Sequence, residues 1–179
     1  MRRRILSLAI LSLVASALPA VAESAVPTPA GFVRPDPPGR LVDVSAGRRL
    51  HIRCKGDAAG PSVIFEAGLS QYTANSTYGV AQDAIAPFAR VCTYDRAGLG
   101  WSDAAPSDWT YAGMVTDLHR LLAAADVPGP YVVVAHSMGG LDSRYVVSRL
   151  GYASRVSSVT TISTPHWGSG ACDAIEDAL

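Results

Sequence analysis

Charge is scarce in this chain. Charged side chains make up 17% of its 179 residues, aromatic ones only 7%, and the formal net charge is zero. Once Arg2-Arg3-Arg4 are set aside no basic run remains, which leaves no electrostatic footprint for nucleic acid. Cysteine is limited to Cys54, Cys92 and Cys172, without the repeated Cys/His spacing that a zinc site needs, so no metal is expected. No Gly-rich phosphate or dinucleotide motif follows the first strand of the parallel series, and no cofactor is implied.

The N-terminus reads as a removable segment. Arg2-Arg3-Arg4 precede an apolar stretch from Ile5 to Leu18, and Ala20-Val21-Ala22 is a small-x-small cleavage signal. Residues 1–22 are therefore expected to be a secretory signal peptide and the chain to be extracellular. The apolar stretch is short for a membrane span, so no stable transmembrane segment is expected after cleavage. Its removal takes three arginines and leaves twelve basic residues against 15 acidic ones. An odd cysteine count in a secreted chain fits one bridge plus one free thiol. Residues 23–40, rich in Pro, Ala and Gly, read as an extended leader, and 41–179 as one domain.

Within that domain, apolar runs at Leu41 to Val44 and Arg49 to Cys54 flank Ser45-Ala46-Gly47 and predict a hairpin. Val63-Ile64-Phe65, Arg90 to Tyr94, Val132 to His136 and Val156 to Ile162 predict further strands. Tyr78 to Phe88, the Met114–Leu122 region and Leu141 to Leu150 predict the helices between them. Strands alternating with helices imply an α/β fold with a mostly parallel sheet covered on both faces. Reactive groups in such sheets collect beyond the carboxyl ends of the strands. Three loops qualify: Gly68-Leu69, Asp95 to Ser102, and the turn at Ser137.

Ser137 is the candidate nucleophile. The run Val132-Val133-Val134-Ala135-His136 ends in Ser137-Met138-Gly139-Gly140, small residues that permit the sharp strand-to-helix turn of a nucleophile elbow. Ala135 stands where the G-x-S-x-G pattern has its first glycine, a departure that a small side chain tolerates. The backbone N–H groups of Met138 and Leu69 are the candidate donors to the oxyanion that serine attack would create. A serine needs a base oriented by a carboxylate. His51 and His119 read as surface or structural residues, the His136 side chain points away from the adjacent serine, and His166 reads as a packing and hydrogen-bonding residue of its loop. Asp142 faces along the side of its helix and Asp173 lies near the end of the sequence, so no complete triad is expected. Asp95-Arg96 reads as a charge-assisted pair within its own loop.

The segments Gly47–Cys54, Val63–Leu69, Arg90–Ser102, His136–Tyr145 and Val159–Ser169 together resemble secreted bacterial triacylglycerol lipases and esterases of the α/β-hydrolase superfamily. The resemblance covers most of residues 41–170. It implies Ser137 as nucleophile, Leu69 and Met138 as oxyanion donors, His166 as a structural residue, and an ester or lipid small molecule as substrate. It also places the Cys54 strand beside the Cys92 strand and so suggests a Cys54–Cys92 bridge. In that superfamily the acid and base follow on later strands, so the chain is expected to be the N-terminal portion of the fold, with its C-terminal strands missing. Val156 to Thr164 would then be an exposed edge prone to self-association. Two further readings remain open: a non-catalytic fragment or binding protein, and a peptidase or amidase of the same fold.

Overall fold

The structure is a computed structural model that describes residues 35–57, 59–69, 71, 78–108 and 110–168. The expected signal segment, residues 23–34 of the leader, Cys172 and Asp173 lie outside the described residues. Among the described residues no helix is long and apolar enough to cross a membrane.

In chain order the elements are β1 (Arg40–Ser45), β2 (Arg48–Lys55), β3 (Ser62–Glu66), α1 (Tyr78–Ile85), β4 (Val91–Tyr94), α2 (Tyr111–Ala124), β5 (Tyr131–His136), α3 (Met138–Arg149) and β6 (Val156–Ile162), with a single 3₁₀ turn at Ala153–Arg155. All six strands join one sheet in the order β1-β2-β4-β3-β5-β6. The β1–β2 hairpin and the β2–β4 pair are antiparallel, and β4, β3, β5 and β6 run parallel. Cys54 and Cys92 face each other across the β2–β4 ladder and form a disulfide.

The expectation of a sheet wanting its C-terminal strands is corrected here. Residues 40–162 make one continuous six-stranded sheet with helices against it. The reason is pairing: β6 docks along the whole of β5, from Tyr131 opposite Val156 to His136 opposite Ile162, and α3 packs back on both. Among the described residues β6 is an outer strand, with Ser157, Ser158, Thr160 and Ile162 exposed and Val156, Val159 and Thr161 half-buried. That edge is more polar than its β-branched content suggests.

Alternation along the strands builds two apolar layers. Leu50, Ile52, Ile64, Cys92 and Tyr94 pack with Leu121, Leu122 and Val127 on the α2 side. Val63, Phe65 and Val91 pack with Tyr78, Ala81 and Ile85 on the α1 side. Gln82 interrupts the apolar spacing of α1 because it is a pin: fully buried, it donates to the Arg53 and Val91 carbonyls at 2.8 and 3.0 Å. On α2, Thr110 caps the N-terminus by accepting from the Gly113 amide, and Asp117 turns inward to take a bond from Arg48 at 2.7 Å.

Candidate active site

The loops after β3, β4 and β5 converge at the carboxyl ends of the parallel strands. Ser137 links β5 to α3 with φ 52° and ψ −124°, a conformation that a non-glycine residue adopts only under constraint. Two backbone bonds hold it there, as its N–H donates to Ile162 O at 2.9 Å and its carbonyl accepts from Gly140 N–H at 3.1 Å. The Ser137 side chain makes no capping bond to α3 and the residue is half-buried.

Close approach explains the glycines after it. A Cβ at Gly139 would fall on the Ala67 carbonyl and within 2.8 Å of the Glu66 carbonyl, and one at Gly140 would come within 2.8 Å of Thr164 Cβ. The first turn of α3 is thereby wedged between the ends of β3 and β6. Gly68 lies against the nucleophile candidate: a Cβ there would be 3.2 Å from Ser137 Cβ. Leu69 follows in the turn, 70% exposed, and Met138 opens α3. The structure thus brings Ser137, Leu69 and Met138 into one neighbourhood. A groove of about 410 Å³ opens beside them, lined by Leu69, Ala97, Leu99, Tyr111 and Met138.

Beneath this neighbourhood lies a buried ionic network that sequence reasoning missed. Arg96 donates through Nε to Glu66 Oε1 at 2.9 Å and through Nη2 to the Ala67 carbonyl at 2.6 Å and Asp142 Oδ2 at 3.0 Å. Its Nη1 reaches the Gly68 carbonyl at 3.4 Å, and Tyr94 OH donates to the other Glu66 oxygen at 2.5 Å. Arg96 therefore ties its own loop to the end of β3, to the loop that follows β3 and to α3. Asp95 instead stands 2.9 Å from His51 Nδ1 and accepts from the Trp101 amide.

Burial sets the electrostatics. It raises the Asp142 pKa to about 6, with Arg96 opposing and Glu66 adding to the rise. Burial also opposes the charge on Arg96, but Glu66, Tyr94 and Asp142 outweigh it, so its pKa goes up. The Tyr94 hydroxyl is pushed well above its usual range by burial and then by Glu66. Glu66 and Asp142 border a small apolar cavity of about 80 Å³ between the sheet, α2 and α3, which accounts for their poor solvation.

All four histidines are engaged. His51 is fully buried against Asp95, with its ring centroid 5.3 Å from that of Trp101. His119 meets Tyr152 edge-on, and His166 sits between Thr161 Oγ1 at 3.1 Å and Arg144 at 3.5 Å. His136 Nδ1 is 3.2 Å from Gln71 Oε1, which also accepts from the Gly68 amide at 3.1 Å. His136 thus lies against the Gly68 loop, a placement its position in the sequence did not reveal. Among the described residues no three His, Cys, Asp or Glu side chains cluster as a metal site would need.

Parallel strands, flanking helices and a strained serine at a strand-to-helix turn are the marks of one class. Residues 56–177 match the family described as alpha/beta hydrolase fold, and the chain belongs to that family. An uncharacterized protein of Schizosaccharomyces pombe is 34% identical over 141 residues, covering 63% of this chain and 26% of its own length. A hydrolase from Pseudomonas aeruginosa superposes with a TM-score of 0.63 at 22% identity, over 77% of this chain and 50% of that one. An esterase from Exiguobacterium antarcticum gives 0.59 at 18% identity, over 72% and 46%. The chain spans about half of each solved structure and about a quarter of the yeast relative.

Proposed function

We propose that this chain carries the nucleophile and oxyanion donors of a serine hydrolase that cleaves carboxylic esters through an acyl-serine intermediate. The observation that carries the reading is Ser137 held at φ 52° between β5 and α3, with Gly68 against its Cβ. Ser137 Oγ attacks the ester carbonyl, and the oxygen that gains charge is met by the Leu69 and Met138 N–H groups. The alcohol leaves with a proton, and water then releases the acid. Losing one such donor costs about 3–4 kcal/mol of transition-state stabilisation. The apolar groove along Leu99 and Tyr111 suits the acyl chain of a lipid or other apolar ester.

The finer placement is with secreted bacterial esterases and lipases. The Cys54–Cys92 disulfide supports an extracellular location, because such bridges persist in oxidising compartments. Among the described residues β6 is an outer strand, which supports self-association by edge pairing. Amide substrates fit the same geometry.

A fluorophosphonate tests the reading without demanding full turnover, together with a chromogenic ester. Labelling of the folded chain at Ser137 and its loss in Ser137→Ala are expected. A folded chain that takes no label, or takes it equally in Ser137→Ala, rejects the proposal. The engagement of all four histidines favours a second reading, a binding protein on a hydrolase scaffold. Retained ligand binding with no label would select it.

A further inference from the structure

We propose that Arg96 is the positioning residue of the oxyanion site, fixing both Leu69 and Met138 through a single buried guanidinium. The inference rests on the acyl-serine reading and adds the group that aims its donors. A trans peptide holds the N–H of one residue antiparallel to the C=O of the residue before it. The Gly68 carbonyl faces Arg96 Nη1 at 3.4 Å, with the Gln71 amide at the same distance, so the Leu69 N–H across the same peptide is turned away from the guanidinium. The bond to the Ala67 carbonyl at 2.6 Å fixes the preceding peptide and prevents the pair from rotating together.

The same side chain reaches the other donor through α3. Asp142 lies one turn into that helix and takes a bond from Arg96 Nη2 at 3.0 Å, tying the helix that begins at Met138 to the loop that holds Leu69. A simple ion pair would need only the two carboxylates. Arg96 instead spends two of its bonds on backbone carbonyls of the oxyanion loop, which a planar fork with five N–H donors can do. Glu66 orients that fork, and Tyr94 orients Glu66. The guanidinium is 5% exposed, so water does not compete for these bonds.

The test uses the whole chain, a fluorophosphonate, and Arg96→Lys, which keeps the charge for Glu66 and Asp142 but has no fork. Resolving inactivation into a binding constant and a bond-forming rate, Arg96→Lys is expected to bind the probe about as the parent does and to react about 100-fold more slowly. Arg48→Lys weakens the other buried Arg–Asp pair, away from the loop, and is the structural control, expected to react at the parent's rate. A folded Arg96→Lys that reacts within about threefold of the parent, or an equal loss in Arg48→Lys, overturns the proposal. A second measurement needs no variant and no reactivity. An NMR coupling across the hydrogen bond from Arg96 Nη2 to the Ala67 carbonyl carbon is expected in the isotope-labelled parent, and its absence overturns the proposal even where Arg96→Lys fails to fold. A folded parent that shows the coupling but takes no phosphonate label rejects the acyl-serine reading while upholding Arg96 as the anchor of the loop.

Discussion

Gly139 lies directly under Ala67, so close that a Cβ added to the glycine would land on the Ala67 carbonyl oxygen. This contact lets the first turn of α3 reach the end of β3 and bring Met138 beside Leu69. In an ordinary helix interior Gly→Ala gains about 1 kcal/mol. Here the obstacle is backbone, and overpacking costs about 1–3 kcal/mol. Gly139→Ala is therefore expected to lower stability on balance, read as a lower urea midpoint, and to slow phosphonate labelling by parting the two donors. A raised midpoint with unchanged labelling contradicts this.

Ser137 stores strain that glycine would release. Its φ of 52° belongs to the region where side chains are disfavoured, at a cost of about 1–3 kcal/mol. Ser137→Ala keeps the Cβ and the strain, whereas Ser137→Gly removes both and gives back some unfolded-state entropy. The glycine variant is expected to be about 1 kcal/mol more stable than the alanine variant by chemical denaturation, both being unreactive. Equal stabilities would place the strain elsewhere.

The order of strands and helices was legible because β-branched runs and helical spacing coincide with the elements found, from the hairpin at Ser45-Ala46-Gly47 to β6. Ser137, Leu69 and Met138 were legible as neighbours because strand-end loops of a parallel sheet meet. The partners of buried charges were not. Nothing in Asp95-Arg96 says that the arginine crosses to Glu66 and Asp142 while the aspartate turns to His51. Gln82 and Asp117 are buried and bond across elements, Gln82 Nε2 to carbonyls of β2 and β4 and Asp117 to Arg48 of β2, partners that a polar residue within a helical run does not name. The missing-strand expectation came from counting against a resemblance, whereas the sheet depends on how β6 pairs with β5.

The Cys54–Cys92 bridge spans 38 residues and ties the hairpin to the parallel part of the sheet. Constraining a loop of that length in the unfolded chain is worth about 2–4 kcal/mol. Cys54→Ser with Cys92→Ser is expected to lose that much in denaturant unfolding. Thiol titration of the unfolded chain should rise on reduction, and an unchanged titre would rule the bridge out.

Strand β6 offers its outer backbone groups where, among the described residues, no further strand pairs with it. Edge pairing between copies is expected to appear as a sedimentation mass that rises with protein concentration. Thr160 is exposed on that strand, and Thr160→Lys should weaken the association, since charge on an edge disfavours pairing. A mass that stays monomeric at every concentration refutes it.

Asp142 makes the pH dependence of stability a test of which force dominates the buried network. If its pairing with Arg96 dominated, the folded-state pKa would be depressed, and stability would be lost on acidification. Burial dominates instead, and the pKa rises from 3.8 to about 6. Between those values the folded chain holds a proton that the unfolded chain has released, so stability falls as pH rises through this window and levels off above it. Asp142→Asn has no such proton, and the difference profile removes the titration of other groups. The unfolding free energy of the parent minus that of Asp142→Asn is therefore expected to decrease from about pH 4 to about pH 6. A difference that grows over the same interval would mean that the Arg96 ion pair, and not desolvation beside the apolar cavity, governs this carboxylate.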